Sequence, residues 1–310
     1  VVLESLVRSA GRGRFVLSAI EHPSIPAALA APIAARAEVT RVAPDRRGVI
    51  DAERMIDALA PGTALAALML ANNELGTVQP VAEVARACRE RGIPLLCDAV
   101  QAAGKLAIDV ARLGVDYLTI GAHKFHGPLG AAALWVRPGA PFAPMLWGGS
   151  QERRRRASTA NVPALVGFGV ACDLARRELD GRIARLAALR DRFEAAVAAA
   201  IPGAVVHGAG APRLPHVTSV AFPGLLHQEL MIRLDLEGYA VSIGSACASG
   251  QIEPSPVLAA MAVPRELALG TIRVSFGPGN TEAEIDEFLP ALARAVAELR
   301  AETPAGTPRW

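Results

Sequence analysis

Mostly apolar, strand-like runs recur through the first half of the chain, at 15–20, 65–70, 93–97, 117–120 and 131–136. Runs of this length without alternation are expected of strands buried on both faces, and stretches with helical spacing, such as 81–91, separate them. The alternation predicts βαβ units around a mostly parallel sheet with helices on both faces. A long alanine-rich stretch, 164–200, keeps helical spacing and leads out of this region, with a break expected near Gly181. Beyond it the pattern changes. Strands expected at 217–222, 241–243 and 272–276 alternate with helices expected at 228–236, 256–261 and 282–301, which predicts a smaller α+β domain. The expected organisation is therefore α/β, with a large domain over 1–170 and a connecting helix plus small domain over 171–310. Residues 303–310 read as a frayed tail. Residues 1–7 have the spacing of a helix already under way, and the natural chain is expected to begin earlier.

Composition narrows the function. With 310 residues, 52% hydrophobic and 20% charged, the chain can bury a large core, and disorder is excluded for most of it. The net charge is +2, and the one dense basic run, Arg153 to Arg156, lacks the interleaved aromatics of a nucleic-acid surface. No apolar stretch reaches membrane-spanning length without interruption. A small-molecule ligand is the expectation, with neither nucleic acid nor membrane as partner. Cys88, Cys97, Cys172 and Cys247 have no metal-ligand spacing, and four cysteines in so long a chain do not make a disulfide framework. A reducing cytosol is expected, with no metal.

Of the 32 basic residues only Lys105 and Lys124 are lysines; the rest are arginines. Arginine stays protonated, whereas a desolvated lysine can lose its proton and form a Schiff base with a carbonyl. Lys105 follows Gly104 in ordinary loop sequence. Lys124 lies in a glycine-flanked loop just after an expected strand, where α/β proteins place their chemistry, and it reads either as a catalytic amine or as a surface lysine. Asp98 stands where the run 93–97 ends, with Gln101 three residues on. It reads as the cap of a following helix or as a buried carboxylate whose partner would be a protonated heterocyclic nitrogen. Asn72-Asn73-Glu74 and His22 also follow strand runs and read alone as loop residues. Cys247 is different, because Gly244-Ser245-Ala246-Cys247-Ala248-Ser249-Gly250 surrounds a thiol with small residues, as suits a reactive nucleophile. Cys88, Cys97 and Cys172 fit a core role.

At these residues the chain resembles the cysteine desulfurases, class V relatives of the aminotransferases that use pyridoxal phosphate. The resemblance runs in order through Glu21-His22, Ala71-Asn72-Asn73-Glu74, Asp98 with Gln101, His123-Lys124, Gly148-Gly149-Ser150-Gln151-Glu152-Arg153, Gly244-Ser245-Ala246-Cys247 and Thr271-Ile272-Arg273. It implies a fold-type I architecture working as a homodimer. It implies that Lys124 holds pyridoxal phosphate through its amine, His22 stacks on the ring, Asp98 pairs with the ring nitrogen and Gln101 bonds the phenolic oxygen. Asn73 and Arg273 would hold the carboxylate of L-cysteine. His123 would assist at the phosphate, and Thr159 would reach it from a second subunit. Cys247 would take the sulfur as a persulfide, leave L-alanine, and pass the sulfur to an acceptor in iron–sulfur cluster assembly or tRNA thiolation.

The pattern departs from the family in places. The family's glycine- and threonine-rich phosphate turn would precede the first helix seen here and is not in this sequence. Gly121 stands where many relatives have a phosphate-binding serine, and Ser158 replaces a usual glycine before Thr159. The alternatives are a selenocysteine lyase, against which Pro23 stands where those enzymes carry an aspartate, and a truncated, inactive sulfur-transfer scaffold, against which Lys124 argues. A plain transaminase has no use for Cys247.

Overall fold

A strand whose two faces are both covered is apolar along its middle, as Phe15–Leu17 of β1 (Arg14–Ser18), Ala64–Ala67 of β3 (Thr63–Ala67) and Leu95–Cys97 of β4 (Leu95–Asp98) are, with polar residues only at the strand ends. With β2 (Glu38–Val42), β5 (Tyr117–Gly121) and β6 (Ala132–Val136) they form a six-stranded sheet in the order β2-β1-β3-β4-β5-β6. Every pairing is parallel except that of β6 with β5, so the sheet is mixed at one edge. The register sets Leu17 beside Ala67, Ala67 beside Leu96 and Leu96 beside Tyr117. Those residues share one face, where Ile25 and Leu29 of helix α1 (Ser24–Ala30) pack. Val16, Ala66, Leu95, Cys97 and Leu118 point the other way and are equally buried.

This computed structural model describes residues 2–3, 13–30, 37–244 and 253–302. The chain divides into two units. The first comprises Val1–Pro44, Ile50–Asn72 and Val78–Leu179; the second comprises Asp45–Val49, Asn73–Thr77 and Asp180–Trp310. The first unit also contains α2 (Ala52–Asp57), α3 (Val81–Glu90) and α4 (Val110–Leu113), two of them opened by aspartates: Asp51 accepts from the Glu53 amide and Asp109 from the Ala111 amide, both at 2.9 Å.

Helix α5 (Val162–Ala200) is shared between the units. The expected break at Gly181 does not occur. A glycine in a helix costs about 1 kcal/mol relative to alanine, too little to interrupt flanks of alanine, leucine and arginine. In the second unit β7 (Val205–His207), β8 (Val217–Ala221), β9 (Ser242–Ile243) and β10 (Thr271–Ser275) form an antiparallel sheet in the order β7-β8-β10-β9. Its helices are α6 (His227–Leu236), α7 (Pro256–Ala260), α8 (Arg265–Leu269) and α9 (Glu282–Ala301). Leu189, Phe193 and Val197 of α5 share a core with Ile272 of β10 and with Phe288 and Leu292 of α9. A capping box opens α9: the Glu284 amide donates to Thr281 Oγ1 at 3.3 Å, and the Thr281 amide donates to Glu284 Oε2 at 2.8 Å.

Strands β2 and β7 and helices α1, α2, α4 and α8 lie outside the elements expected from the sequence. β2 reads Glu-Val-Thr-Arg-Val and is largely exposed at the sheet edge, so no apolar run marks it. Of the helical spacing at 1–7, only Val2 and Leu3 fall within the described residues, both helical and buried.

Asp116 fixes the strand starts that carry the site at their other ends. It is 7% exposed, accepts from the Leu95 amide at 2.8 Å and from Arg137 Nε at 2.6 Å, and its own carbonyl accepts from the Arg137 amide at 2.8 Å. Asp116→Ala strands a buried amide and a guanidinium, and is expected to lower stability by about 2–4 kcal/mol. Urea denaturation checks this; an unchanged midpoint would refute it.

Candidate functional site

Because β1, β3, β4 and β5 are parallel neighbours, their carboxyl ends fall along one edge of the sheet, the edge at which open α/β folds bind ligands. His22 follows β1, Asp98 ends β4, and Lys124 sits in a 3-10 turn, Ala122–Phe125, directly after β5. Asp98 Oδ1 accepts from the Val100 amide at 2.9 Å and from Thr119 Oγ1 at 3.4 Å. Burial holds its carboxyl above the usual range, against the pull of the Val100 amide, the nearby His22 and Thr119. No donor reaches Oδ2 among the described residues. His22 and Lys124 are exposed, and His22 Nδ1 lies 2.9 Å from Ser24 Oγ.

Sequence reasoning missed the part played by Lys105. Its ammonium donates to the Lys124 carbonyl at 2.8 Å and to the Gln101 carbonyl at 3.2 Å, tying the backbones of two expected site residues together. The signal was its being one of two lysines. His123 is exposed in the same turn as Lys124. His126 closes that turn in the left-handed region, at φ 70°, which histidine tolerates better than most side chains. Thr159 is exposed, and among the described residues no hydrogen bond ties it to the other candidates. Ser158 before it adopts φ 90°, a conformation that suits glycine and strains serine.

In the second unit Asn73 and Arg273 meet, though through the backbone. Arg273 Nη1 donates to the Asn73 carbonyl at 2.8 Å, and Arg273 Nε is buried with no hydrogen-bond partner among the described residues. Glu74 is its counter-ion. Burial raises the Glu74 carboxyl and lowers the Arg273 guanidinium, and for each it outweighs their attraction. Ser255 Oγ donates to Glu74 Oε2 at 2.5 Å and accepts from the Val257 amide at 3.1 Å, capping α7. A Cβ on Gly244 would lie 2.5 Å from the same Glu74 oxygen and 3.0 Å from Ser255 Cβ, so a side chain there would push the carboxylate out of its place. Positions before and after Cys247 thus converge on one carboxylate; Cys247 itself lies outside the described residues.

Cys88 and Cys97 are buried, and burial pushes the Cys88 thiol up to about 12. The core reading of Cys172 is overturned: it is exposed on α5, on a helix whose alanine content blurs the apolar face. Among the described residues no three His, Cys, Asp or Glu gather into a metal-binding group, and no helix is long and apolar enough to cross a membrane.

A lysine, a carboxylate and an imidazole at the carboxyl edge of a mixed, mostly parallel sheet define a class. Residues 1–288 match the aminotransferase class-V family, and the chain belongs to that family. Its relatives there are cysteine desulfurases: it is 42% identical over 309 residues to a cysteine desulfurase of Gluconacetobacter diazotrophicus, spanning 98% of this chain and 76% of the relative. It is 40% identical over 293 residues to a cysteine desulfurase of Klebsiella pneumoniae, spanning 94% and 74%. A solved structure described as a NifS-like protein superposes with a TM-score of 0.86 at 32% identity, over 96% of this chain and 79% of that one. Enzymes of this group depend on pyridoxal phosphate, and so does this chain.

The residues fit that cofactor. A half-buried, partly desolvated carboxylate with one oxygen lacking a donor among the described residues suits a protonated ring nitrogen, and Lys124 offers an exposed amine at the same edge.

Asp98 binds its proton more tightly in the folded protein than in the unfolded chain. Its burial therefore destabilises the cofactor-free fold progressively as pH rises past about 4, and most once the carboxyl is ionised. Asp98→Asn removes this penalty. The cofactor-free variant is expected to be more stable than wild type at pH 8, with the gain shrinking on acidification. A pH series of thermal melts checks it; a gain independent of pH would contradict the assignment.

Proposed function

We propose that this enzyme takes the sulfur from L-cysteine, releases L-alanine, and hands the sulfur on through Cys247. The observation that carries the reading is the Asp98 carboxylate, half-buried and with no protein donor to one oxygen among the described residues, on the strand next to the one that leads into Lys124. Lys124 would hold the cofactor's aldehyde carbon, His22 would lie against its ring, Asp98 would keep the ring nitrogen protonated and Gln101 would bond the phenolic oxygen. His123, with Thr159 from a second copy, would meet the phosphate. When bound, the cofactor supplies an electron sink for the carbanion left when the substrate's Cα–H bond breaks.

The remaining steps belong to the chain's own residues. Arg273, aimed by the Asn73 carbonyl and with Nε free to donate, would bind the substrate carboxylate as arginine's planar fork favours, beside the Asn73 side chain. Lys124, displaced by the substrate amine, would carry the α-proton. Cys247 as thiolate would attack the substrate sulfur: the carbon–sulfur bond breaks, a sulfur–sulfur bond forms, and the electron pair left on carbon is protonated, giving alanine. The persulfide would then meet a sulfur acceptor serving iron–sulfur cluster assembly or tRNA thiolation. A reducing cytosolic setting, which the free thiols of Cys88 and Cys97 support, keeps Cys247 available.

A homodimer is part of this proposal. Val162, Leu165, Val166, Val170 and Leu174 are exposed at helical spacing along the first half of α5, an apolar stripe that a second copy would cover. Replacing Val166 and Val170 by glutamate is expected to shift the sedimentation coefficient from dimer to monomer, and an unshifted dimer would move the interface elsewhere.

Supplied with pyridoxal phosphate and cysteine, the wild type is expected to yield sulfide and alanine in equal amounts. Cys247→Ala is expected to keep the cofactor's absorption band and lose at least about 100-fold in sulfide release, as for the loss of a nucleophile. Lys124→Ala is expected to lose the band. Wild-type turnover in Cys247→Ala would sink the persulfide step.

A further inference from the structure

The turn that follows β1 is clasped to the chain that follows β3 by two hydrogen bonds. The Asn72 side-chain amide donates to the Ile20 carbonyl at 3.1 Å, and the Met69 backbone N–H donates to Glu21 Oε1 at 2.8 Å. Ser18 Oγ donates to that same Glu21 oxygen at 2.5 Å. Glu21 is 8% exposed, and its Oε2 is buried with no hydrogen-bond partner among the described residues. The next residue is His22. Among the described residues, the ionisable groups that bear on Glu21 are Asp98 and Cys97, both from β4, and Asp98 in turn feels the charge of His22.

Such a side chain calls for an explanation. A glutamine would accept the same two hydrogen bonds through its carbonyl oxygen without any risk of a buried charge, though its amide would bury two donors where a protonated glutamate buries one. What distinguishes glutamate is a proton it can keep or lose. We propose that Glu21 is a positioning residue for the cofactor ring, fastening the turn that carries His22 to Met69 and, as an uncharged acid, leaving Asp98 the lone carboxylate charge at that end of the sheet. This rests on the cofactor site set out under the proposed function.

Burial, aided by the charge of Asp98 and opposed by the Ser18 and Met69 donors, lifts the Glu21 carboxyl to about 7. Below neutrality it therefore keeps its proton and near neutrality it titrates, and an uncharged Oε2 costs less without a partner than a charged one would. As pH rises, Glu21 ionises and sets a second negative charge beside Asp98. That charge strengthens the hold of the Asp98 side on the ring nitrogen's proton, and the absorption of the bound cofactor reports it.

The test is a pH titration of the bound cofactor's absorption, with its dissociation constant, for the wild type, Glu21→Gln and Glu21→Asp. Glu21→Gln keeps both acceptor contacts and has no proton to lose; it is expected to bind within about threefold of wild type and to lack the spectral transition near neutral pH. Glu21→Asp keeps the charge but is one methylene too short for the Met69 amide, and is expected to bind at least about tenfold more weakly, the equivalent of one lost hydrogen bond. A wild type without the transition, a glutamine variant with the wild-type midpoint, or a folded aspartate variant binding like wild type would each overturn the proposal. Should Glu21→Asp not fold, the glutamine titration decides. Lys124→Ala in parallel reports on the site itself: if that variant keeps the wild-type band, the cofactor site is misassigned, and otherwise only the role of Glu21 is at stake.

Discussion

Carboxylates buried or half-buried at the ends of apolar strands and turns set the terms for both units. Asp98 and Glu21 in the first, and Glu74 in the second, all sit where desolvation disfavours their charge. Each is partly compensated by an N–H or hydroxyl donor close by, and for none does the compensation reach the full loss of water. Left alone, such groups destabilise a fold. Their presence makes sense where a cation completes them: the guanidinium of Arg273 at Glu74 and, in the function proposed above, a protonated ring nitrogen at Asp98. The sheet makes this possible because strands covered on both faces have no freedom of register, so a residue at the end of β4 is held where a slip of one position would turn it into the core.

How far this was legible in the sequence follows from which physical signals are local. Central strands announce themselves because burial on both faces demands continuous apolar residues, as in Phe15 to Leu17. β2 sends no such signal, being an exposed edge whose charged residues face water. The long helix was legible, yet Gly181 was read as a break because a single residue's propensity was weighed without its flanks. Alanine misled in another way: along α5 it makes every face look equally apolar, so Cys172 was assigned to a core it does not enter.

Within the site, Lys124 stood out because arginine had replaced lysine nearly everywhere else, and Asp98 because a carboxylate interrupted a run of apolar residues. Glu21 and Lys105 did not stand out as functional. Their importance lies in contacts with residues 48 and 19 positions away, which no local pattern encodes. Glu74 was quoted only as part of a polar turn; its tie to Ser255 spans 181 positions. What the structure adds is thus the layer behind the reacting groups. That layer also accounts for Gly244, whose lack of a side chain lets the backbone pass over a carboxylate.

The scarcity of lysine has a consequence for handling the protein as a reagent. One of its two side-chain amines, on Lys105, is engaged with two backbone carbonyls, while the other, on Lys124, is exposed at the candidate site. Amine-directed chemistry, which on most proteins scatters over many surface positions, here has a natural address. On the cofactor-free protein, a fluorophore ester, a crosslinker or a mass tag aimed at side-chain amines would report on the candidate edge of the sheet itself, with no engineering of the surface around it.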